Sequence, residues 1–241
     1  MPVKICTAGD NVVDRYLDYR EMFPGGNAVN VAVHSRRLGA TSAYIGAIGT
    51  DEAGRLIANS LRSEDVKTER MRIVEGANAW AALKHINGDR IFVAQDKGIS
   101  RFILNDEDLD YFSDFDLVHI GYAGGLEGQI REVALHAPVS FDFADKPRKY
   151  AESLLPHVTY ATFSVGEEGL DQADDLIDWA HSFGAKTVLL TAGASGAVVS
   201  DGNGRDHVAA APVNVVDTLG AGDAYIAAFL VESLNGVPRK E

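Results

Sequence analysis

Near the end of the chain the sequence reads Asp217-Thr218-Leu219-Gly220-Ala221-Gly222-Asp223 and continues at once into the apolar segment Ala224-Tyr225-Ile226-Ala227-Ala228-Phe229-Leu230. This pattern predicts a glycine-rich turn that leads into a buried helix, with the carboxylate of Asp223 on its first turn. Free backbone N–H groups and the positive end of the helix dipole favour an anion there, such as a transferring phosphoryl group. Gly220, Ala221 and Gly222 are the candidate N–H donors, and Asp223 is the candidate base. The alternative is that the glycines only shape the turn and Asp223 only caps the helix.

Length and charge limit the classes of protein that this chain can belong to. It has 241 residues, of which 46% are hydrophobic, and this predicts a single domain spanning residues 1–241. The formal net charge of −13 argues against nucleic acid and against an anionic membrane surface as partners. Cys6 is the single cysteine, and the sequence contains neither a signal-peptide pattern nor an apolar run long enough to span a bilayer. We therefore expect a cytoplasmic protein.

Apolar runs of strand length alternate along the chain with longer amphipathic segments. This alternation predicts an α/β fold in which helices cover a mainly parallel sheet. The predicted strands lie at 3–8, 42–48, 117–120, 139–143, 160–163 and 187–191. The predicted helices lie at 27–38, 54–63, 126–136 and 171–183.

Two segments, at about 11–24 and 77–98, break this alternation. The second one predicts a β-hairpin, because Ala79–Ile86 and Arg90–Val93 are joined through Asn87-Gly88-Asp89. The hairpin is either part of a lid over a binding site or a surface feature that serves only stability. A lid that pairs with a second subunit would also protect its apolar edge.

A second motif lies near the N-terminus of the chain, and the two motifs together indicate a family. The stretch Phe23-Pro24-Gly25-Gly26-Asn27-Ala28-Val29-Asn30, together with the segment around Asp223, resembles the two signatures of the ribokinase-like (pfkB) carbohydrate kinases. The resemblance implies a three-layer α/β/α sandwich with a mainly parallel central sheet and a small β-sheet lid. It also implies ATP and Mg²⁺ as cofactors, a small sugar as substrate and a homodimer formed through the lid.

Within this family the chain is most similar to the fructoselysine 6-kinase branch. The similarity includes Gly9-Asp10-Asn11, Asp116-Leu117-Val118-His119 and Phe141-Asp142-Phe143-Ala144-Asp145-Lys146. It implies transfer of the γ-phosphoryl group of ATP to a primary hydroxyl of a sugar or sugar-amine conjugate, and fructoselysine is the expected substrate. The alternatives are a kinase of another sugar, such as ribose or fructose, and an impaired family member that senses a sugar or nucleotide.

The resemblance assigns substrate contacts to the N-terminal part of the chain. Sugar hydroxyls would meet Asp10 and the helix start at Gly26 and Asn27, with Asp14 as a second acceptor and Asn30 one turn along the helix. The alternative for Asp10 and Asn27 is turn and cap chemistry, which these residue types favour in any protein.

The hairpin contributes one further candidate. Arg90 would reach the substrate when the lid closes, and the alternative is an ordinary solvated arginine.

ATP contacts are expected in the second half of the chain. The segment from Thr191 to Gly196, which includes Gly193, resembles the nucleotide-binding TxGxxG element of the family, and an ordinary turn is the alternative. Ser164 stands where the family usually has Asn in an Asn-x-x-Glu element, and Glu167 would contact Mg²⁺ through water. Members of the family usually continue beyond the helix that follows Asp223, and that extension walls the adenine pocket. Because the sequence ends at Glu241, we expect weaker adenine binding.

Other catalytic classes lack their signatures in this sequence. The seven histidines are scattered without an HExxH pattern, and GxSxG and GxxxxGK[ST] are both absent. Gly9-Asp10-Asn11 after the first strand is not the GxGxxG turn of a dinucleotide-binding oxidoreductase.

Overall fold

A computed structural model describes residues 1–86, 89–166 and 168–238, with backbone only for residues 85, 86, 89 and 90. The strands are β1 Lys4–Ala8, β2 Val12–Tyr16, β3 Glu21–Gly25, β4 Thr41–Ile45, β5 Ala47–Gly49, β6 Arg72–Val74, β7 Trp80–Ile86, β8 Asp89–Asp96, β9 Leu117–Gly121, β10 Val139–Asp142, β11 Tyr160–Ser164, β12 Thr187–Thr191, β13 Ala197–Ser200 and β14 Arg205–Val208. The helices are α1 Asn27–Arg37, α2 Glu52–Ser63, α3 Asp106–Phe112, α4 Ile130–Val133, α5 Arg148–Ala151, α6 Ala173–Ser182 and α7 Ala221–Leu234.

The central sheet has eight strands in the order β14-β13-β12-β11-β10-β9-β1-β4. The six strands from β12 to β4 are parallel, and β13 and β14 add an antiparallel edge. The expectation of a mainly parallel central sheet with helices is therefore confirmed. Parallel strands leave their carboxyl ends along one edge, so the loops that follow β1, β9, β10, β11 and β12 lie side by side.

Helices cover both faces of this sheet. Neighbouring side chains in a strand point to opposite faces, and Ile5 accordingly packs under α1 and α7, while Cys6 packs with α3, α4 and α6. The face under α7 is closed by Ile226 and Leu230, and the opposite face includes the stacked rings of Phe143 and Phe163. The molecule is a three-layer α/β/α sandwich.

A smaller four-stranded sheet has the order β3-β2-β7-β8 and contains the predicted hairpin, with β7 and β8 antiparallel. Asn87 and Gly88, at the predicted turn, lie outside the described residues. Val13 of β2 is fully buried and packs against α1, so this sheet is attached to the sandwich beside the start of that helix. The exposed side chains of this sheet include Phe23, Ile91, Phe92 and Val93.

Local predictions differ from the structure at several places, and the edge strands β13 and β14 are among the elements that were not predicted. The predicted strand 42–48 is interrupted at Gly46, where a Cβ would collide with the hydroxyl of Tyr44. The chain then enters a third sheet, in which β5 pairs with β6. The predicted helix 126–136 is a 3-10 turn at Glu127–Gln129 followed by the short α4. Helix α3 was not predicted, although Asn105 and Asp108 form a reciprocal capping box at its start.

Within the described part of the chain, no helix combines the length and the apolar character that crossing a membrane requires.

Candidate active site

The candidate site lies at the carboxyl ends of β1, β9 and β10. Asp10 follows β1, Gly121 ends β9, and Asp142 ends β10. Since β1 is flanked by β4 on one side and β9 on the other, the chain changes direction across the sheet at this point. Such a switch point forms a crevice in which open α/β sheets bind their ligands.

Asp10 caps helix α1. Its carboxylate accepts hydrogen bonds from the backbone N–H of Asn27 (2.9 Å) and of Ala28 (3.4 Å). Burial raises the pKa of Asp10 to about 6, and these N–H donors oppose the rise. Gly26 precedes the helix with φ of 103°, and a Cβ there would lie 2.8 Å from the Cα of Asn11. Asp10 therefore has the capping role that the sequence analysis gave as an alternative to substrate binding.

Asn27 connects two carboxylates across the site. Its side-chain nitrogen donates to Asp142 Oδ2 (3.0 Å) and to Asp223 Oδ1 (2.8 Å). Its side-chain oxygen lies 2.9 Å from Nε2 of His119. The first residue of α1 thus contacts groups from β9, β10 and α7.

Asp223 lies on the first turn of α7, as the sequence predicts, and both of its oxygens are held. Asn30 donates to Oδ2 at 2.7 Å, while Asn27 donates to Oδ1. Burial raises the pKa of Asp223, whereas the hydrogen bonds from Asn30 and Asn27 and the nearby His34 lower it. These donors fix the orientation of the half-buried carboxylate and oppose the rise in its pKa, and both effects suit a general base.

Asp142 is a third carboxylate in the same cluster. Burial raises its pKa to about 7, and the charges of Asp223 and Asp10 add to this effect, against a hydrogen bond from the N–H of Ala144. From the sequence, Asp142 was either a residue that organises metal or water or a structural acid at the end of a strand, and His119 was not among the site residues. The available signal was that each is a polar residue in or at the end of an apolar strand.

The glycine-rich turn before α7 has the expected form. Gly220 adopts the left-handed conformation, with φ of 76°. Ala221 already donates its N–H to the carbonyl of Thr218 (3.1 Å). A Cβ added at Gly222 would meet nothing within 4 Å, so the surface at the start of this helix is open to a ligand.

A cavity of about 430 Å³ separates this turn from the small sheet. Asn30, Gly220 and the buried Asp14 line it, so the structure brings these three predicted site residues together. Its wall also contains acidic and aromatic side chains, namely Tyr16, Tyr19, Glu21, Phe23 and Asp217. The hydroxyl of Tyr16 donates to Asp217 (2.6 Å) and so links the small sheet to the glycine-rich turn.

The residues predicted to bind nucleotide lie farther along the same edge of the sheet. Ser164 and Thr191 end adjacent strands, and their hydroxyl oxygens are 3.2 Å apart. Gly193 has φ of 55° and open space where a Cβ would lie. Gly196 has φ of 91° and lies against the backbone of Val208 and Ala209, a close approach that itself requires glycine.

Two predicted site residues cannot be placed. Glu167 lies outside the described residues, and for Arg90 the structure describes the backbone in β8 but not the side chain. In the described ranges, no group of three or more His, Cys, Asp or Glu side chains is arranged to hold a metal ion.

Comparison with known proteins agrees with this geometry. The family model described as pfkB family carbohydrate kinase matches residues 4–241. The chain is 39% identical over 234 residues to fructosamine kinase FrlD of Bacillus subtilis, covering 95% of this chain and 82% of that protein. It is 34% identical over 232 residues to fructoselysine 6-kinase of Escherichia coli, covering 94% and 87%. Among solved structures, Arabidopsis thaliana ribokinase complexed with ribose and ATP superposes with a TM-score of 0.85 at 21% identity, covering 100% of this chain and 88% of that one.

Proposed function

The chain belongs to the pfkB family of carbohydrate kinases, and on this premise we propose that it transfers the γ-phosphoryl group of ATP to the primary 6-hydroxyl of a fructosamine, with fructoselysine as the substrate. The observation that carries the proposal is the carboxylate of Asp223, held by Asn27 and Asn30 at the open N-terminus of α7. A fixed base beside a site for an anion is the arrangement that phosphoryl transfer to a hydroxyl requires.

Asp223 accepts the proton of the attacking hydroxyl in the proposed reaction. The sugar oxygen then bonds to the γ-phosphorus while the bond from that phosphorus to the bridging oxygen breaks, and ADP leaves. The N–H groups around Gly220, Ala221 and Gly222 stabilise the charge on the transferring group. Of these, Ala221 would have to exchange its present acceptor, the carbonyl of Thr218, for a phosphate oxygen.

The sugar is held between α1 and the small sheet in this proposal. Asp10, Asn30 and Asp14 accept from or donate to its hydroxyls, and Gly26 and Asn27 provide the floor at the start of α1. Arg90 would contact the substrate from the small sheet.

ATP binding involves the neighbouring loops after β11 and β12. Ser164, Thr191, Gly193 and Gly196 would contact the nucleotide, and the open space at Gly193 supports its close approach. Mg²⁺ supplies charge neutralisation to the phosphates when bound, and Glu167 would contact its water shell.

The choice of a sugar-amine conjugate has two supports. The relatives named above are a fructosamine kinase and a fructoselysine 6-kinase, at 39% and 34% identity. In addition, the cavity beside Asp223 is lined by three carboxylates and by aromatic rings, which favour a protonated amine.

The test is ADP formation with Mg-ATP and a panel of fructoselysine, a second fructosamine, fructose, ribose and a nucleoside. Selective turnover of the fructosamines would support the proposal. Selective turnover of fructose or ribose would contradict the proposed substrate class but still support phosphoryl transfer to a sugar. No turnover of any sugar, with ligand binding retained in a thermal-shift assay, would favour a sensor and contradict the proposed reaction.

We further propose that the small sheet pairs with that of a second copy of the chain. Phe92 and Val93 of the edge strand β8 are 56% and 45% exposed, and covering such side chains is favourable. Light scattering would show a dimer for the wild type and a monomer for Phe92→Lys, and a monomeric wild type would contradict the pairing.

A further inference from the structure

His119 is a fully buried imidazole on β9, directly beneath the candidate site. Its Nε2 lies 2.9 Å from Oδ1 of Asn27, and its Nδ1 lies 3.0 Å from Oγ of Ser140 on β10. The ring does not touch the cavity itself. It therefore has no direct role in binding or proton transfer, and its effect would have to pass through Asn27.

The hydrogen-bond network determines which atoms carry hydrogen. The amide nitrogen of Asn27 faces the carboxylates of Asp142 and Asp223, which accept, so its amide oxygen faces the ring. An oxygen can only accept, and Nε2 of His119 must therefore carry the proton. Burial lowers the pKa of His119 to about 3, so the ring is neutral, and its Nδ1 accepts from the hydroxyl of Ser140.

We infer that His119 is a positioning residue that fixes the amide of Asn27 with its nitrogen toward Asp142 and Asp223. This inference rests on the proposed function, in which Asp223 is the base. Without the Nε2–H donor, the amide oxygen of Asn27 loses its hydrogen-bond partner, and only the carboxylates still orient the amide. The oxygen can then turn toward the carboxylates, where it repels their ionised forms.

The expected consequence is a change in the pH dependence of catalysis. Loss of a donor to Asp223 favours its protonated form, so its pKa rises and activity is lost at higher pH than in the wild type. The charged and titratable groups around Asp223 are His34 from α1, Asp10 after β1, Asp142 at the end of β10 and Tyr122 after β9. All of them are retained when only His119 is changed.

The first experiment compares the pH profile of kcat for His119→Leu and His119→Gln at saturating substrates. Leucine removes the donor, and we expect the acid limb of the profile to move up by about one pH unit. Glutamine can present an N–H near the position of Nε2, and we expect it to restore most of the wild-type profile. An unshifted acid limb in His119→Leu would overturn the inference.

The matched control is His181→Leu in α6. His181 also has both ring nitrogens in hydrogen bonds, to the carbonyl of Ala185 (2.8 Å) and to the hydroxyl of Ser200 (2.9 Å), but it contacts none of the site residues described above. It should lower the melting temperature while leaving the acid limb in place. If both leucine variants shift the limb equally, His119 has only a structural role.

Two further measurements cover the failure of a variant or of the proposed function. Should His119→Leu not fold, Ser140→Ala removes the hydrogen bond on the far side of the ring. We expect its acid limb to move in the same direction by less than one pH unit, and an unshifted limb would overturn the inference.

NMR of the ring nitrogens of His119 in the wild type requires no activity. It should show the neutral Nε2–H tautomer from pH 5 to 8, and the Nδ1–H tautomer would overturn the inference even in an active kinase. A wild type without turnover but with the expected tautomer would instead mark a failure of the proposed function.

Discussion

The side-chain nitrogen of Asn27 lies 2.8 Å from Oδ1 of Asp223, although 196 residues separate them in the chain. Asn27 is the first residue of α1, and Asp223 is on the first turn of α7. The two helices begin side by side on one face of the sheet, so this hydrogen bond and the one from Asn30 join the substrate end of the site to its proposed base.

Asp223→Asn should reduce kcat by a factor of 10² to 10⁴, since a neutral amide cannot accept the proton of the attacking hydroxyl. Calorimetry should show sugar and ATP binding within a few-fold of the wild type. Glu232→Gln is the control, because Glu232 is exposed on the same helix. A kcat close to the wild-type value in Asp223→Asn would exclude this carboxylate as the base.

The pH dependence of kcat should show how the hydrogen-bond donors to Asp223 change its pKa. The base must be ionised, so kcat falls as the pH is lowered through its pKa, which burial raises and Asn30 lowers. Asn30→Ala removes the bond to Oδ2 and should move the acid limb of kcat upward by about one to two pH units. Asn59→Ala, exposed on α2, is the control, and a limb that stays in place in Asn30→Ala would show that this bond does not tune the base.

Gly222→Ala should separate stability from catalysis. Its new methyl group meets nothing within 4 Å, and alanine is the better helix former by about 0.5–1 kcal/mol, so the melting temperature should stay the same or rise by a few degrees. The methyl group would project toward the space proposed for the phosphoryl group, and kcat/KM for ATP should fall at least about tenfold. Unchanged kinetics would place the phosphates elsewhere.

Glu21→Gln tests the recognition of a protonated amine. Glu21 is exposed on the rim of the cavity, and loss of its charge should raise the KM for fructoselysine by about two- to fivefold without changing the KM for fructose. Glu132→Gln, exposed on α4, should change neither value. An equal effect on both sugars would show that the carboxylate does not distinguish the amine.

The central sheet was largely predictable because its six parallel strands are continuous apolar runs that are buried on both faces. Asp223 and Asn30 could be named as well, since each lies in a short motif at the start of a helix. Their contact could not be predicted, because it depends on how α1 and α7 are placed on the sheet and not on any local pattern. Helix α3 was missed since its seven residues are too few for a clear period.

The role of His119 could not be predicted from the sequence for a related reason. One polar residue within the apolar strand β9 shows that the strand has a buried partner, but not which one. Ser140 and Asn27 become its partners only through the parallel order of β9 and β10 and the position of α1.

Gly121→Ala should disturb Asn27 by steric contact alone. Gly121 has an extended backbone, with φ of −108° and ψ of 158°, which alanine adopts without strain. Its Cβ, however, would lie 2.8 Å from Cγ of Asn27 and closer still to Oδ1, so the amide must move away from Asp142 and Asp223. We expect at least about a tenfold loss of kcat and an acid limb that moves to higher pH, because the base loses a donor. Gly128→Ala is the matched control, since its Cβ meets nothing within 4 Å, and it should keep wild-type kinetics. If Gly121→Ala folds and retains both kcat and its pH profile, the position of Asn27 does not govern the state of Asp223.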